Sequence, residues 1–121
     1  MLELAKETDF EEVNRLARQV TAHHAQWTPT LEVVEHPYPM DYFLACIQPE
    51  SIRDSAIYVM RQNGSVVGYM RIYLWNTNST VSAKRTILSI DDIGVDEVLR
   101  NQGIGTEMMS QLADMARTQW G

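Results

Sequence analysis

Two features of this 121-residue chain could do chemistry: a glycine-bearing run and a pair of carboxylates just before it. The run is Arg100-Asn101-Gln102-Gly103-Ile104-Gly105, closed by Thr106. It follows the apolar-acidic stretch Thr86-Ile87-Leu88-Ser89-Ile90-Asp91-Asp92-Ile93-Gly94-Val95-Asp96. It opens a helical pattern of Ile104, Met108, Met109, Leu112, Met115 and Ala116. A strand that feeds a glycine loop, and a loop that feeds a helix, can aim several backbone N–H groups at one phosphate; the helix dipole adds attraction. Glycine lets the backbone approach where a Cβ would collide. A dinucleotide fingerprint needs a third glycine, and Met108 stands in its place. The nucleotide-triphosphate loop is also absent.

Aspartate is depleted in strands, so Asp91 and Asp92 need a reason to sit in this one. Strict alternation puts Ser89, Asp91, Ile93 and Val95 on one face and Leu88, Ile90, Asp92 and Gly94 on the other. Gly94 is readable either as a bulge that opens the sheet or as a routine strand glycine. His23, His24 and His36 have no cysteine or acidic cluster beside them to complete a metal site, and none is expected. Cys46 and the methionines of the last helix read as core.

The elements that must position these groups follow from pattern. Leu2 and Leu4 alternate with polar residues, a short first strand. Asp9 and Glu12 read as a capping box, with Phe10, Val13, Leu16, Ala17 and Val20 on one face of the helix behind it. Pro29, Pro37 and Pro39 make residues 28–39 a loop. A short helix over about 40–48 gathers Phe43, Leu44 and Ile47, and Pro49 ends it. Strands over 56–61 and 66–75 flank Asn63-Gly64, a hairpin turn whose residues both tolerate positive φ. Polar residues 76–84 lead to the strand over 86–96, and the last helix runs from about 104 to 119.

Composition bounds the rest. The length suits one domain over 1–121, and a 45% hydrophobic fraction makes it globular. No apolar run reaches the ~20 residues of a membrane span, and no secretory signal opens the chain. One cysteine cannot form an internal disulfide, so a cytoplasmic location is the default, and Asn78-Ser79-Thr80 reads as a plain polar loop rather than a glycosylation site. A net charge of −6 argues against nucleic acid and mildly favours a cationic acceptor.

The motif Arg/Gln-x-x-Gly-x-Gly/Ala, after a strand ending in Val95, resembles the acyl-coenzyme A signature of the GCN5-related N-acetyltransferase (GNAT) superfamily. The order strand, helix, helix, hairpin, strand, loop, helix is similar to the N-terminal two-thirds of that α/β fold: a mixed, mostly antiparallel sheet flanked by helices, here without the C-terminal strands. The resemblance implies an acetyl-coenzyme A co-substrate and no metal. It implies that N–H groups around Gln102 to Thr106 hold the pyrophosphate, with Arg100, Asn101 and Thr106 nearby, and that Ile93, Gly94 and Val95 meet the pantetheine arm. Asp91 is then the candidate base or ammonium anchor and Asp92 structural. His24, Trp27, Tyr38 and Tyr42 fall where the family's acceptor cleft lies. The implied reaction is direct attack by a primary amine, from a small molecule or peptide. A coenzyme-binding module without catalysis and an unrelated anion-binding α/β fold are the rival readings. The strand at 86–96 and the helix at 104–119 are expected to leave open surface, around Met108, Met109, Leu112 and Met115, that favours a homo-dimer.

Overall fold

Near-continuous apolar runs bury both faces of the central strands, and a helix layer covers each face. The computed structural model describes residues 1–28, 30, 32–48, 55–76 and 86–119, apart from the side chains of Trp75, Asn76 and Thr86. Asn78-Ser79-Thr80, Pro29 and Pro49 lie outside the described residues. The chain forms β1 (Leu2–Leu4), α1 (Phe10–Ala25), α2 (Met40–Cys46), β2 (Ala56–Gln62), β3 (Ser65–Asn76), β4 (Thr86–Val95) and α3 (Ile104–Gln119). The strands make one antiparallel sheet in the order β1-β2-β3-β4.

Helices α1 and α2 cover one face. Phe10, Val13, Leu16, Ala17, Tyr38, Phe43 and Cys46 pack there with Ile57, Val59, Val66 and Tyr69 of the sheet. Helix α3 covers the other, with Ile104, Met108 and Leu112 against Leu2, Tyr58, Met60, Val67, Met70 and Ile72. Met108 and Leu112, expected on open surface, are therefore core; Met109 is the large apolar residue of α3 that stays exposed. The β2–β3 hairpin turns through Asn63 (φ 53°) and Gly64 (φ 82°), the left-handed pair that the Asn-Gly sequence favours.

The expected capping box does not form at α1. Asp9 turns back, accepting from the Lys6 N–H (2.8 Å) and from Arg61 of β2 (Nη1 2.7 Å). Glu12 pairs with Arg15 instead. A guanidinium offers a buried carboxylate more than one backbone amide does, so Arg61 draws Asp9 away from the helix end. Burial alone would push the Asp9 carboxyl up; Arg61 and the Lys6 N–H hold it below the usual carboxylate range.

The alternation read along β4 also breaks. Arg71 pairs with Asp92 but Ile72 pairs with Ile90, so Asp91 is the extra residue of a β-bulge. Beyond the bulge the faces exchange. Asp92 and Gly94 lie opposite Arg71 and Tyr69 on the α1 side, whereas Ile93 and Val95 share the α3 side with Leu88 and Ile90. The bulge sits at Asp91, not at Gly94. Gly94 makes room for a ring: a Cβ there would lie 2.5 Å from Tyr69 Cε1 and 2.8 Å from Val20 Cγ2. Tyr69 is fully buried and cannot yield. Gly94→Ala is therefore expected to destabilise the fold by about 2 kcal/mol, as overpacking of a filled core does. Thermal unfolding checks this, and an unchanged midpoint would mean that the ring moves freely.

Candidate functional site

The end of β4 is open on one side. The Asp96 N–H donates to the Val67 carbonyl of β3 at 2.9 Å. Backbone groups alternate along a strand, so Gly94 also turns toward β3, and Ile93 and Val95 turn the other way. No strand among the described residues pairs on that side. The N–H and C=O groups of the two residues expected to meet a pantetheine arm thus face an unpaired edge. Ile93 is 38% exposed there, Gly94 is buried and Val95 is half-buried.

Asp96 turns the chain away from β4. Its carboxylate caps the 3-10 turn Glu97–Leu99, accepting from the Val98 N–H, and takes a 3.0 Å ion pair from Arg15 Nη1. Gln19 of α1 accepts from the Glu97 N–H at 2.9 Å. Burial pushes the Asp96 carboxyl up, but the bonds from Arg15, Val98 and Gln19 hold it below the usual range. Arg15 and Gln19 thus brace the loop from the helix on the far side of the sheet. Sequence reasoning missed both; an aspartate directly after a strand, a helix-capping signal, pointed at Asp96.

The loop then enters α3 through Asn101 (φ 68°) and Gly103 (φ 83°). The first helical bond is Glu107 N–H to Gly103 C=O, 2.9 Å. The N–H groups of Ile104, Gly105 and Thr106 consequently have no partner within the helix. Gly103 occupies the capping position and has no side chain to satisfy them. This is the arrangement that receives an anion. Arg100, Asn101, Gln102, Gly103 and Thr106 are exposed; Ile104 is buried and anchors the helix.

Two hollows meet these residues. One, about 370 Å³, is lined by Val20, His23 and His24 of α1, Ile93–Val95 of β4, and Arg100. The other, about 250 Å³, is lined by Gln102, Gly103, Ile104 and Glu107 with Met60 and Gln62 of β2. His23 and His24 both line the first hollow. Trp27 is 77% exposed, away from packed residues.

The α1 side of the bulge carries a polar cluster. Asp92 Oδ2 accepts from both Tyr38 Oη and Tyr69 Oη, the latter at 2.8 Å. Burial first, then Asp92, pushes both phenols far above the ordinary tyrosine value, so both stay protonated donors. Tyr42 stacks on Tyr38, 6.0 Å between centroids. Asp91 is exposed at the bulge and takes no hydrogen bond among the described residues. Asp92, read from sequence as bonded to the flanking helices, is held by the proline loop and by β3. Among the described residues no cluster of three or more metal-ligating side chains occurs, and no helix is long and apolar enough to cross a membrane.

The Acetyltransferase (GNAT) family model matches residues 5–121. The chain belongs to the GNAT acetyltransferase family. No curated protein matches it significantly. Among solved structures, a point mutant of the BH1408 protein from Bacillus halodurans is 26% identical, with a TM-score of 0.81 over 94% of this chain and 73% of that one. An acetyltransferase from Vibrio fischeri is 20% identical, TM-score 0.68, over 97% of this chain and 86% of that one. An aminoglycoside N-acetyltransferase in complex with CoA is 11% identical, TM-score 0.60, over 98% and 72%. The last two carry the fold alone. The four-stranded antiparallel sheet flanked by helices is the GNAT arrangement, and this chain is an acetyltransferase by family.

Proposed function

We propose that this GNAT chain is an acetyl-CoA-dependent N-acetyltransferase that passes the acetyl group to a primary amine by direct attack. One observation carries the reading. The open amides of Ile104, Gly105 and Thr106 behind a glycine cap stand at the end of the same strand whose Ile93 and Val95 backbone groups face an unpaired edge. A diphosphate fits the first and an extended amide-bearing arm fits the second. Arg100 and Asn101 flank the phosphate end, and Gln102 and Gly103 shape its loop. Acetyl-CoA, when bound, supplies an activated acyl group.

The residues of the chain then have three tasks. The loop amides hold the coenzyme. The bulge turns Asp91 out of the sheet, where it takes a proton from the incoming ammonium directly or through water, since free alkyl amines have pKa of ~10. Asp92, fixed by Tyr38 and Tyr69, holds the proline loop against β3 and so shapes the acceptor side. The acceptor is a small-molecule or peptide amine. We further propose self-association through the unpaired β4 edge or α3; light scattering that shows a monomer at high concentration would overturn it.

Calorimetric titration with CoA, followed by thiol release across an amine panel, tests the function. Binding with release supports it. No CoA binding removes the coenzyme site, and binding without release from any amine leaves a coenzyme-binding module.

A further inference from the structure

Arg71 of β3 is a cation without an ion pair among the described residues, and its surroundings were built around it. Register places it opposite Asp92. Asp92 nonetheless gives Oδ2 to two tyrosines rather than to the guanidinium. Arg71 instead lies over the rings of Tyr38 and Tyr42, 5.7 and 5.9 Å from their centroids, and Nη1 donates to Tyr42 Oη at 3.1 Å. Its Nε is buried with no hydrogen-bond partner. Asp91 is near enough to act on it electrostatically but makes no ion pair with it. Two aromatic rings and a phenol thus fix the orientation of a planar, permanently charged fork, most of whose five donors have no partner among the described residues.

Nε is closed to solvent, so a ligand reaches the half-buried guanidinium at its Nη end, where one N–H from each Nη can give a carboxylate two parallel hydrogen bonds. Arg71 stands one strand in from the Asp91 bulge, on the face that carries Tyr38 and Tyr42. A group bound there lies beside the place where the amine must lose its proton.

Resting on the acetyl-transfer reading, we propose that Arg71 anchors a carboxylate of the acceptor, so that the acceptor class is an amino carboxylate: an amino acid or short peptide presenting an amine and a carboxylate together. The positive charge of Arg71 selects the anion and its fixed plane sets the direction in which the amine is offered. Plain alkylamines and polyamines lack the group that the site is arranged to hold.

The test separates this from the coenzyme reading. CoA-loaded protein is titrated by calorimetry with β-alanine, glutamate, lysine and diglycine, each against its carboxamide. At least one carboxylate is expected to bind about 10- to 100-fold tighter than its amide, the range of a hydrogen-bonded charged pair. Arg71→Gln is expected to abolish that difference with CoA affinity unchanged. Arg71→Lys, which keeps charge but not the fork, retains part of it and covers the case in which Arg71→Gln fails to fold. Equal binding of every carboxylate and amide pair to CoA-loaded protein overturns the proposal, as does a preference that survives Arg71→Gln. Failure of CoA itself to bind counts against the coenzyme site, and the same pairs titrated into the free protein then decide the Arg71 assignment.

Discussion

Gly105→Val is expected to weaken CoA binding at least ~10-fold, about 1.4 kcal/mol, while the protein stays folded. The structure has space for the side chain in the absence of ligand: a Cβ at Gly105 would meet only Val95 Cγ2, at 3.8 Å. Val95 borders both the 370 Å³ hollow and the α3-side core, and 3.8 Å is ordinary van der Waals contact, so the added Cβ displaces nothing. Any loss of affinity in a folded Gly105→Val protein therefore reports on what the loop holds. Gly103→Val differs. No atom lies within 4 Å of its Cβ position, but its φ of 83° is a left-handed conformation that costs an L-residue roughly 1–2 kcal/mol. That variant is expected to lose affinity by altering the loop itself and to lose some stability as well. Calorimetry with CoA beside thermal unfolding distinguishes the two. Unchanged CoA affinity in folded Gly105→Val would sink the phosphate-cradle assignment.

The elements were legible because local signals and tertiary demands agreed. Asn63-Gly64 specified its hairpin, and the apolar stripe Phe10, Val13, Leu16 and Ala17 faced the sheet as its spacing required. The glycine run was legible for the same reason, since a left-handed helix entry needs such residues. What failed was decided by contacts distant in sequence. Asp9 carries a local capping signal, but Arg61, 52 residues away, competes for it and wins. The bulge at Asp91 has no local mark at all. It arises from the register of β3 against β4, and one extra residue sends every later side chain to the opposite face. Asp91 and Gly94 therefore could not be placed by counting in twos. Arg71 was invisible for a related reason: a lone arginine in a strand becomes notable only when its cross-strand aspartate is found committed to Tyr38 and Tyr69.

Asp91→Asn is expected to lower the acetyl-transfer rate ~10²–10⁴-fold, the loss typical when a general base is removed. Asparagine keeps the size and the exposed bulge position but cannot take a proton. CoA affinity should not change, because Asp91 is not among the loop residues. Asp92→Asn is expected to behave differently. It leaves two buried phenols, Tyr38 and Tyr69, with a neutral amide oxygen in place of the charged acceptor they share. That should cost about 1–3 kcal/mol of stability, with a much smaller change in kcat once the protein is folded. Single-turnover rates at saturating acetyl-CoA, with unfolding curves for both variants, separate chemistry from folding. A small, equal rate effect from the two would remove Asp91 from the mechanism. A folded Asp92→Asn protein that loses most of its rate would move the base one residue along the strand. In that outcome the second oxygen of Asp92 would be the one that meets the amine, and the tyrosine pair would fix the orientation of the base rather than hold a loop.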